Sequence, residues 1–147
     1  MITIRRLDLA DAQELLDAAA EKAREIGVPM CTAVADEAGN LLAFSRMDGG
    51  KVSSISIAID KAFTAAAARN DTSFYGGVSR PGEAAWGINQ TNGGRFCVIG
   101  GGMPLVVEGV IVGGIGVSSG TAAQDEQVAE SAVERWYADH EVSRRSA

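Results

Sequence analysis

The chain has 147 residues and a net charge of −6, so one domain over residues 1–147 is expected. The basic residues are scattered, which together with the acidic balance argues against a nucleic-acid partner. No stretch has the roughly 18 apolar residues of a membrane span, and no apolar signal-peptide core is seen, so a cytoplasmic protein without a membrane partner is predicted. A single histidine and two cysteines without ligand spacing predict no metal site and two free thiols.

The first third of the chain predicts one helix and a β-hairpin. Apolar residues recur at helical spacing over 12–26, and either Asp8 or Asp11 can cap this helix. The runs 30–36 and 41–47 have the composition of strands and are separated by a four-residue turn. These two strands should pair antiparallel.

A second helix and a long loop are predicted for the middle of the chain. Ser53 or Ser54 can cap a helix whose alanine-rich apolar face continues to Ala66. Residues 70–94 mix Gly, Asn, Ser and Pro with three aromatic residues and show no sustained period, which predicts an ordered loop with about one helical turn. Long loops inside domains are often functional, so these aromatic residues are candidates to line a site.

Three more strands and a last helix complete the predicted order. The strands are predicted over residues 95–99, 105–108 and 110–117, with a turn over 100–104. Thr121 and Gln124 have the form of a capping box that begins the helix, and the polar residues after His140 predict a frayed end. This order predicts an α+β fold with a five-stranded antiparallel sheet flanked by helices.

One motif suggests a nucleophile but lacks its partners. Residues 116–120 match G-x-S-x-G between a predicted strand and a predicted helix. Such hydrolases need a parallel sheet and a histidine base, whereas the only histidine here, His140, lies at the end of the last helix. Small residues that allow close packing are therefore the better interpretation.

Polar side chains at the ends of predicted elements form the candidate site. Carboxylates can serve as bases, while cations and backbone amides can bind or stabilise an anion. The acid–base candidates are Asp48, Lys61, Glu108 and Asp125. The ligand-binding candidates are Arg46, Lys51, Tyr75, Trp86, Arg95, Gly101 and Gly102. Simpler roles stay open: the lysine can reach solvent, neighbouring charges can pair, and the glycines can allow a tight hairpin or a close subunit contact.

Several segments, in this order along the chain, resemble the GlcG/HbpS family, which includes the C-terminal domain of PduO-type cobalamin adenosyltransferases. They are Ala33–Asp36 with Gly39, Arg46–Gly49, Lys61–Ala62, Gly101–Pro104, Gly113–Val117 and Gln124–Asp125. The resemblance implies a profilin-like fold and a homo-oligomer in which dimers build rings, often octamers. It also implies that some members bind haem and that others lie beside catabolic enzymes.

Two functions from different classes are compatible with these residues. The first is small-molecule binding, of haem or another tetrapyrrole as the resemblance implies, in a pocket near a subunit interface. The resemblance implies that haem sites of the family use a histidine or weaker oxygen ligands. This chain has one histidine, His140, and its other possible ligands are the softer sulfur donors Met47, Met103, Cys31 and Cys97. The sequence therefore leaves the cofactor unassigned. The alternative is a cofactor-independent isomerase, lyase or hydrolase for a small carboxylate or carbonyl compound. A third hypothesis is that the protein is a subunit that only stabilises a partner enzyme.

Overall fold

The computed structural model describes residues 1–143, in which one antiparallel sheet lies between two helical layers. The strands are β1 (Cys31–Asp36), β2 (Leu41–Arg46), β3 (Gly102–Val107) and β4 (Val110–Ser118), in the order β2-β1-β4-β3. The helices are α1 (Leu9–Ile26), α2 (Ser54–Ala67), α3 (Thr72–Val78) and α4 (Ala122–Asp139). The α+β class is confirmed, but the sheet of these residues has four strands and not the predicted five.

The predicted strand over 95–99 is the one that does not form. This segment runs beside α2 instead, where the Cys97 backbone N–H donates to the buried Thr64 Oγ1 at 2.9 Å. A side-chain hydroxyl thus satisfies an amide that a neighbouring strand would otherwise have to pair. The following strand begins earlier than predicted, at Gly102, so part of the predicted turn 100–104 belongs to β3.

The middle loop and the helix ends differ less from the prediction. Residues 70–94 contain α3 and two short 3-10 turns, which is somewhat more helix than predicted. Asp8 caps α1 and exchanges reciprocal hydrogen bonds with Asp11, so both candidates take part. The capping box of Thr121 at the start of α4 is confirmed, whereas Ser53 precedes α2 without a side-chain capping bond. The predicted frayed end falls partly on residues 144–147, which lie outside the described residues.

The helices bury both faces of the sheet. Helices α1 and α4 pack on one face and α2 packs on the other, so β1 is buried along its whole length. Two glycines of β4 let α2 pack unusually close to the sheet. A Cβ atom added at Gly116 would overlap the carbonyl oxygen of Ala58, and a Cβ atom added at Gly114 would lie 2.9 Å from the carbonyl oxygen of Ala62. The glycine excess in this segment therefore serves packing within the chain. None of the helices in residues 1–143 has the length and apolar character to cross a membrane.

The β1–β2 turn depends on a buried carboxylate. Asp36 Oδ1 accepts the backbone N–H groups of Ala38 at 3.0 Å and Asn40 at 2.9 Å, and the Asn40 side chain donates as well. Burial raises the pKa of Asp36, but these hydrogen bonds and the nearby Arg6 outweigh burial, so the pKa lies below its ordinary value. The ionised carboxylate is therefore the form that stabilises the turn.

We expect this carboxylate to make stability depend on acidic pH. A pKa lowered by folding stabilises the protein fully above the unfolded value of about 3.9, and this contribution is lost as the pH falls through the folded value. The variant Asp36→Asn keeps the acceptor oxygen but cannot ionise. Urea unfolding should show the wild type more stable than the variant at pH 7, with the difference shrinking at pH 3. A constant difference would contradict this role of the charge.

Candidate functional site

The centre of the candidate site is a buried ion pair between two of the predicted acid–base residues. Lys61 Nζ, from α2, donates to Asp125 Oδ2 and to the Val117 carbonyl oxygen, both at 2.8 Å. The two side chains are only 1% and 4% exposed. Asp125 Oδ1 accepts the Gly120 N–H at 2.9 Å. The first turn of α4 is also a favourable place for a negative charge.

Two glycines close over this ion pair. Gly101 has φ +119°, and a Cβ there would lie 2.9 Å from Lys61 Nζ and 2.8 Å from Asp125 Cβ. The Gly102 N–H donates to the buried Thr72 Oγ1 at 2.9 Å. The backbone N–H groups of Gly101 and Gly102 were predicted to stabilise an anion. The Gly102 N–H already has Thr72 as its hydrogen-bond acceptor. Neither Lys61 nor Asp125 lines any of the five main clefts formed by residues 1–143.

The other two acid–base candidates lie elsewhere. Asp48 is exposed in the loop after β2. Glu108 is exposed in the β3–β4 turn and pairs with Arg5 at 2.7 Å. Since Lys61 contacts the far end of β4, roughly 20 Å of strand separates it from Glu108. The structure brings together two of the four residues and leaves the others apart.

The ligand-binding candidates also separate into groups. Arg46 and Lys51 are exposed near the end of β2, and Trp86 is 66% exposed in the middle segment. Tyr75 and Arg95 lie near α2: the Tyr75 hydroxyl donates to the Ala68 carbonyl oxygen at 2.6 Å, and Arg95 Nε lies 3.3 Å from Asp60 Oδ1. Tyr75 and Arg95 both contact residues that line one cleft beside α2.

This cleft, called the α2 cleft below, lies between α2 and the irregular segment that follows the second 3-10 turn. Its volume is about 250 Å³. It is lined by Ile57, Asp60, Asn89, Gly94, Phe96, Cys97, Val98 and Ile99. Tyr75 packs edge-on against Phe96, with ring centroids 4.8 Å apart, and Arg95 pairs with Asp60. Burial raises the pKa of the Cys97 thiol.

Sequence reasoning missed the α2 cleft because it assigned its wall to a strand. A strand over 95–99 would have been paired on the sheet, with Cys97 among the core residues. The strand-like composition of residues 95–99 gave no sign that Thr64 would hold this backbone beside α2.

The only histidine is held between two helices. His140 stacks on Trp136 with ring centroids 4.4 Å apart, and its Nε2 lies 3.5 Å from Asp11 Oδ1 and 3.4 Å from Glu14 Oε2. Its Nδ1 is 2.9 Å from the Trp136 carbonyl oxygen. Both ring nitrogens thus have polar neighbours from α1 or α4, on the face of the sheet opposite the α2 cleft.

Sulfur atoms are the remaining candidate soft ligands. Cys31 is fully buried with its thiol facing the Lys51 carbonyl oxygen, and Met47 Sδ accepts the Met30 N–H at 3.4 Å. Met103 is buried in the core. Cys97 differs because it lines the α2 cleft, whose wall is partly apolar and partly polar. In the described part of the chain, no three His, Cys, Asp or Glu side chains group as metal ligands.

Comparison with known proteins agrees with this fold and these motifs. The chain matches the family model of haem-degrading, HbpS-like proteins over residues 7–134. It is 38% identical over 131 residues to an uncharacterized 15.0 kDa protein from the dhaT-dhaS intergenic region of Citrobacter freundii, covering 89% of this chain and 92% of that protein. The chain therefore belongs to the HbpS-like family, and the predicted GlcG/HbpS membership is confirmed.

Two solved structures are similar over nearly the whole chain. The protein ORFY of Klebsiella pneumoniae has a TM-score of 0.92 and 34% identity, covering 94% of this chain and 95% of that one. A complex of PduOC with haem has a TM-score of 0.87 and 30% identity, covering 96% and 99%. One structural relative is thus known with a haem bound.

Proposed function

We propose that this protein is a small-molecule-binding subunit that takes a tetrapyrrole of the haem class in the α2 cleft. The observation that carries the proposal is the similarity, over nearly the full length of both chains, to PduOC in complex with haem. A cytoplasmic location remains a prediction from the sequence.

The residues of the α2 cleft fit such a ligand. Ile57, Phe96 and Ile99 offer apolar surface for the flat face of a macrocycle, and Cys97 offers a sulfur in the same cleft. Thiolate sulfur is an established axial ligand of haem iron. Arg95 pairs with Asp60 of the cleft wall at 3.3 Å and is 45% exposed at the side chain, so it is the cation that we assign to carboxylate substituents of the ring. When bound, haem would supply a redox-active iron centre.

The size of the cleft supports a site completed by a second subunit. A volume of about 250 Å³ lies below the usual range of about 300–1,000 Å³ for pockets that enclose a ligand. Ile99, at its rim, is 52% exposed. A tetrapyrrole seated there would leave apolar area uncovered, and a second copy of the chain can cover it. The small volume of the cleft and its uncovered apolar rim favour a pocket at a subunit interface.

The two edges of the sheet differ in a way that favours a homo-oligomer. The outer edge of β3 is blocked, since the Gly102 N–H bonds Thr72, residue 104 is proline, and the Val106 N–H donates to the Tyr137 hydroxyl at 2.7 Å. On β2 the register turns the backbone N–H groups of Phe44 and Arg46 outward, and neither has an acceptor among residues 1–143. An open edge of this kind suits pairing with a second copy.

The enzymatic alternative has less support. It needs an acid–base pair that a substrate can reach, whereas Lys61 and Asp125 are sealed beneath Gly101 and bonded to each other. Such a pair is better suited to hold α2, β4 and α4 together. We therefore rank ligand binding ahead of catalysis.

Titration of the purified protein with hemin tests the proposal. We expect a saturable shift of the Soret band at micromolar protein, because the cleft replaces solvent around the ring and a protein ligand binds the iron. The variant Cys97→Ser should bind at least about tenfold more weakly or shift the Soret band, since serine is a poor substitute for thiolate. The matched control His140→Gln should behave as the wild type.

The same titration as a function of pH adds a second readout. The thiolate is the form that binds metal, and burial raises the pKa of Cys97, so binding must release a proton. The affinity of the wild type should therefore rise between pH 6 and pH 8, by up to about tenfold per pH unit, while that of Cys97→Ser should not. No Soret shift in the wild type would overturn the proposal, and loss of binding in His140→Gln alone would overturn the role of Cys97.

A further inference from the structure

The second 3-10 turn, Asn92–Gly94, consists of an asparagine followed by two glycines. Asn92 is exposed and has φ +52°, in the left-handed region that glycine and asparagine adopt more readily than other residues. Gly93 and Gly94 continue with φ +66° and +80°, and a Cβ at either position would meet no heavy atom within 4 Å. Little packing therefore holds the backbone of this turn.

The groups on either side of the Asn92–Gly93 peptide bond are also weakly held. The Gly93 N–H has no acceptor among residues 1–143. In the same part of the chain the Asn92 side chain has only the Thr91 hydroxyl as a partner, at 3.3 Å, and this hydroxyl lies closer to the Ile88 carbonyl oxygen, at 2.6 Å. Local motion of the turn can therefore bring the Gly93 nitrogen and the Asn92 side-chain amide together.

We propose that Asn92 is a site of deamidation. The Gly93 nitrogen attacks Cγ of the Asn92 side chain, so that a new N–C bond forms. The side-chain nitrogen then leaves as ammonia and carries away the proton that the Gly93 nitrogen gives up. Water opens the resulting five-membered imide at either carbonyl group, which gives aspartate or isoaspartate. Glycine favours this attack because it has no Cβ to crowd the nitrogen.

The other three asparagines, Asn40, Asn70 and Asn89, lack this combination of features. Each is followed by a residue that has a side chain. The Asn40 side chain donates to both carboxylate oxygens of Asp36, at 3.3 and 3.2 Å. The backbone N–H that follows Asn89 donates to the Gly87 carbonyl oxygen at 2.9 Å. The reaction should therefore be specific to the one Asn-Gly pair of the chain.

Deamidation would place a new carboxylate beside the α2 cleft. Asn92 borders a small cavity together with Phe63, and the Arg95 guanidinium lies over the Phe63 ring, 4.0 Å from its centroid. Arg95 is the cation assigned above to the carboxylates of the tetrapyrrole, so this consequence rests on the proposed function. A negative charge at residue 92 should attract Arg95 away from the ligand and weaken hemin binding about twofold to fivefold, the effect of one exposed ion pair.

Peptide mapping by mass spectrometry, after incubation of the protein at pH 8 and 37 °C, tests the site without hemin. We expect Asn92 to gain the mass of an amide-to-acid conversion and to give separate aspartate and isoaspartate peptides, while the other three asparagines stay unchanged. Gly93→Ala should react about tenfold more slowly, because the added Cβ crowds the attacking nitrogen. No conversion in the wild type, or conversion as fast at Asn89 as at Asn92, would overturn the proposal.

Hemin titration of Asn92→Asp and Asn92→Gln tests the consequence for the cleft. The aspartate variant should bind more weakly than the matched glutamine variant, which keeps an uncharged amide. Equal affinities would overturn the influence of residue 92 on the cleft. The mass change at Asn92 does not depend on hemin and is measured equally well in a protein that binds none, so failure of the tetrapyrrole proposal is distinct from failure of the deamidation site.

Discussion

Replacing Lys61 with methionine is expected to lower the free energy of unfolding by about 3–5 kcal/mol. Methionine fills much of the same space but leaves the Asp125 carboxylate buried without its partner. It also leaves the Val117 carbonyl oxygen without the Lys61 donor. A loss of this size is a large part of the roughly 5–15 kcal/mol that stabilises a typical domain. Chemical denaturation at pH 7, with circular dichroism as the readout, measures it.

A double variant and a surface control separate the buried charge from the substitution itself. In Lys61→Met with Asp125→Asn, the residue at 125 keeps an oxygen for the Gly120 N–H but carries no charge, so much of the loss should be recovered. Lys22→Met makes the same change in the Lys22–Glu25 ion pair of α1, where the carboxylate left behind is 67% exposed and stays hydrated, and should cost less than about 1 kcal/mol. A loss in Lys61→Met no larger than in Lys22→Met would show that the buried pair does not hold the fold together.

Gly116→Ala is expected to be nearly as damaging, although it adds a single methyl group. The new Cβ would overlap the Ala58 carbonyl oxygen and lie 2.5 Å from Ala62 N, and these are backbone atoms that a side-chain rotation cannot move. Helix α2 would have to shift away from β4, so a loss of about 3 kcal/mol or more is expected, at the upper end of the range for overpacked cores. Thermal unfolding would show it as a decrease in Tm.

Gly77→Ala is the matched control for this prediction. Gly77 lies in α3, and a Cβ there would have no heavy atom within 4 Å. Alanine favours helix over glycine, so this variant should be neutral or slightly more stable. If both variants had the same Tm as the wild type, the close contact between α2 and β4 would not determine stability.

Much of the fold could be predicted from local patterns. The caps of α1 and α4, the first hairpin and the last strand all follow from residue spacing, because each signal lies within a few residues of the element it defines. The segment 95–99 was the exception. Its apolar residues have strand composition, but the hydroxyl that binds its backbone belongs to Thr64, more than thirty residues earlier. Local composition carries no information about such a distant partner.

The candidate site was only partly predictable for the same reason. Lys61 and Asp125 were both recognised as unusual, yet nothing in the sequence indicated that they bond each other beneath Gly101. Glu108 was grouped with Lys61 and Asp125 because it too lies at the end of a predicted element. In the structure Glu108 lies at the opposite end of β4. Which residues meet depends on strand order and helix placement, and these are set by packing across the whole sheet.

The most direct test of the central claim is a crystal structure of the hemin-loaded protein, with iron located by its anomalous scattering. The proposal predicts one strong iron peak in the α2 cleft, within bonding distance of Cys97 Sγ, with the ring against Ile57 and Ile99. An iron peak beside His140, or a ring bound on the face of the sheet that carries α1 and α4, would contradict it.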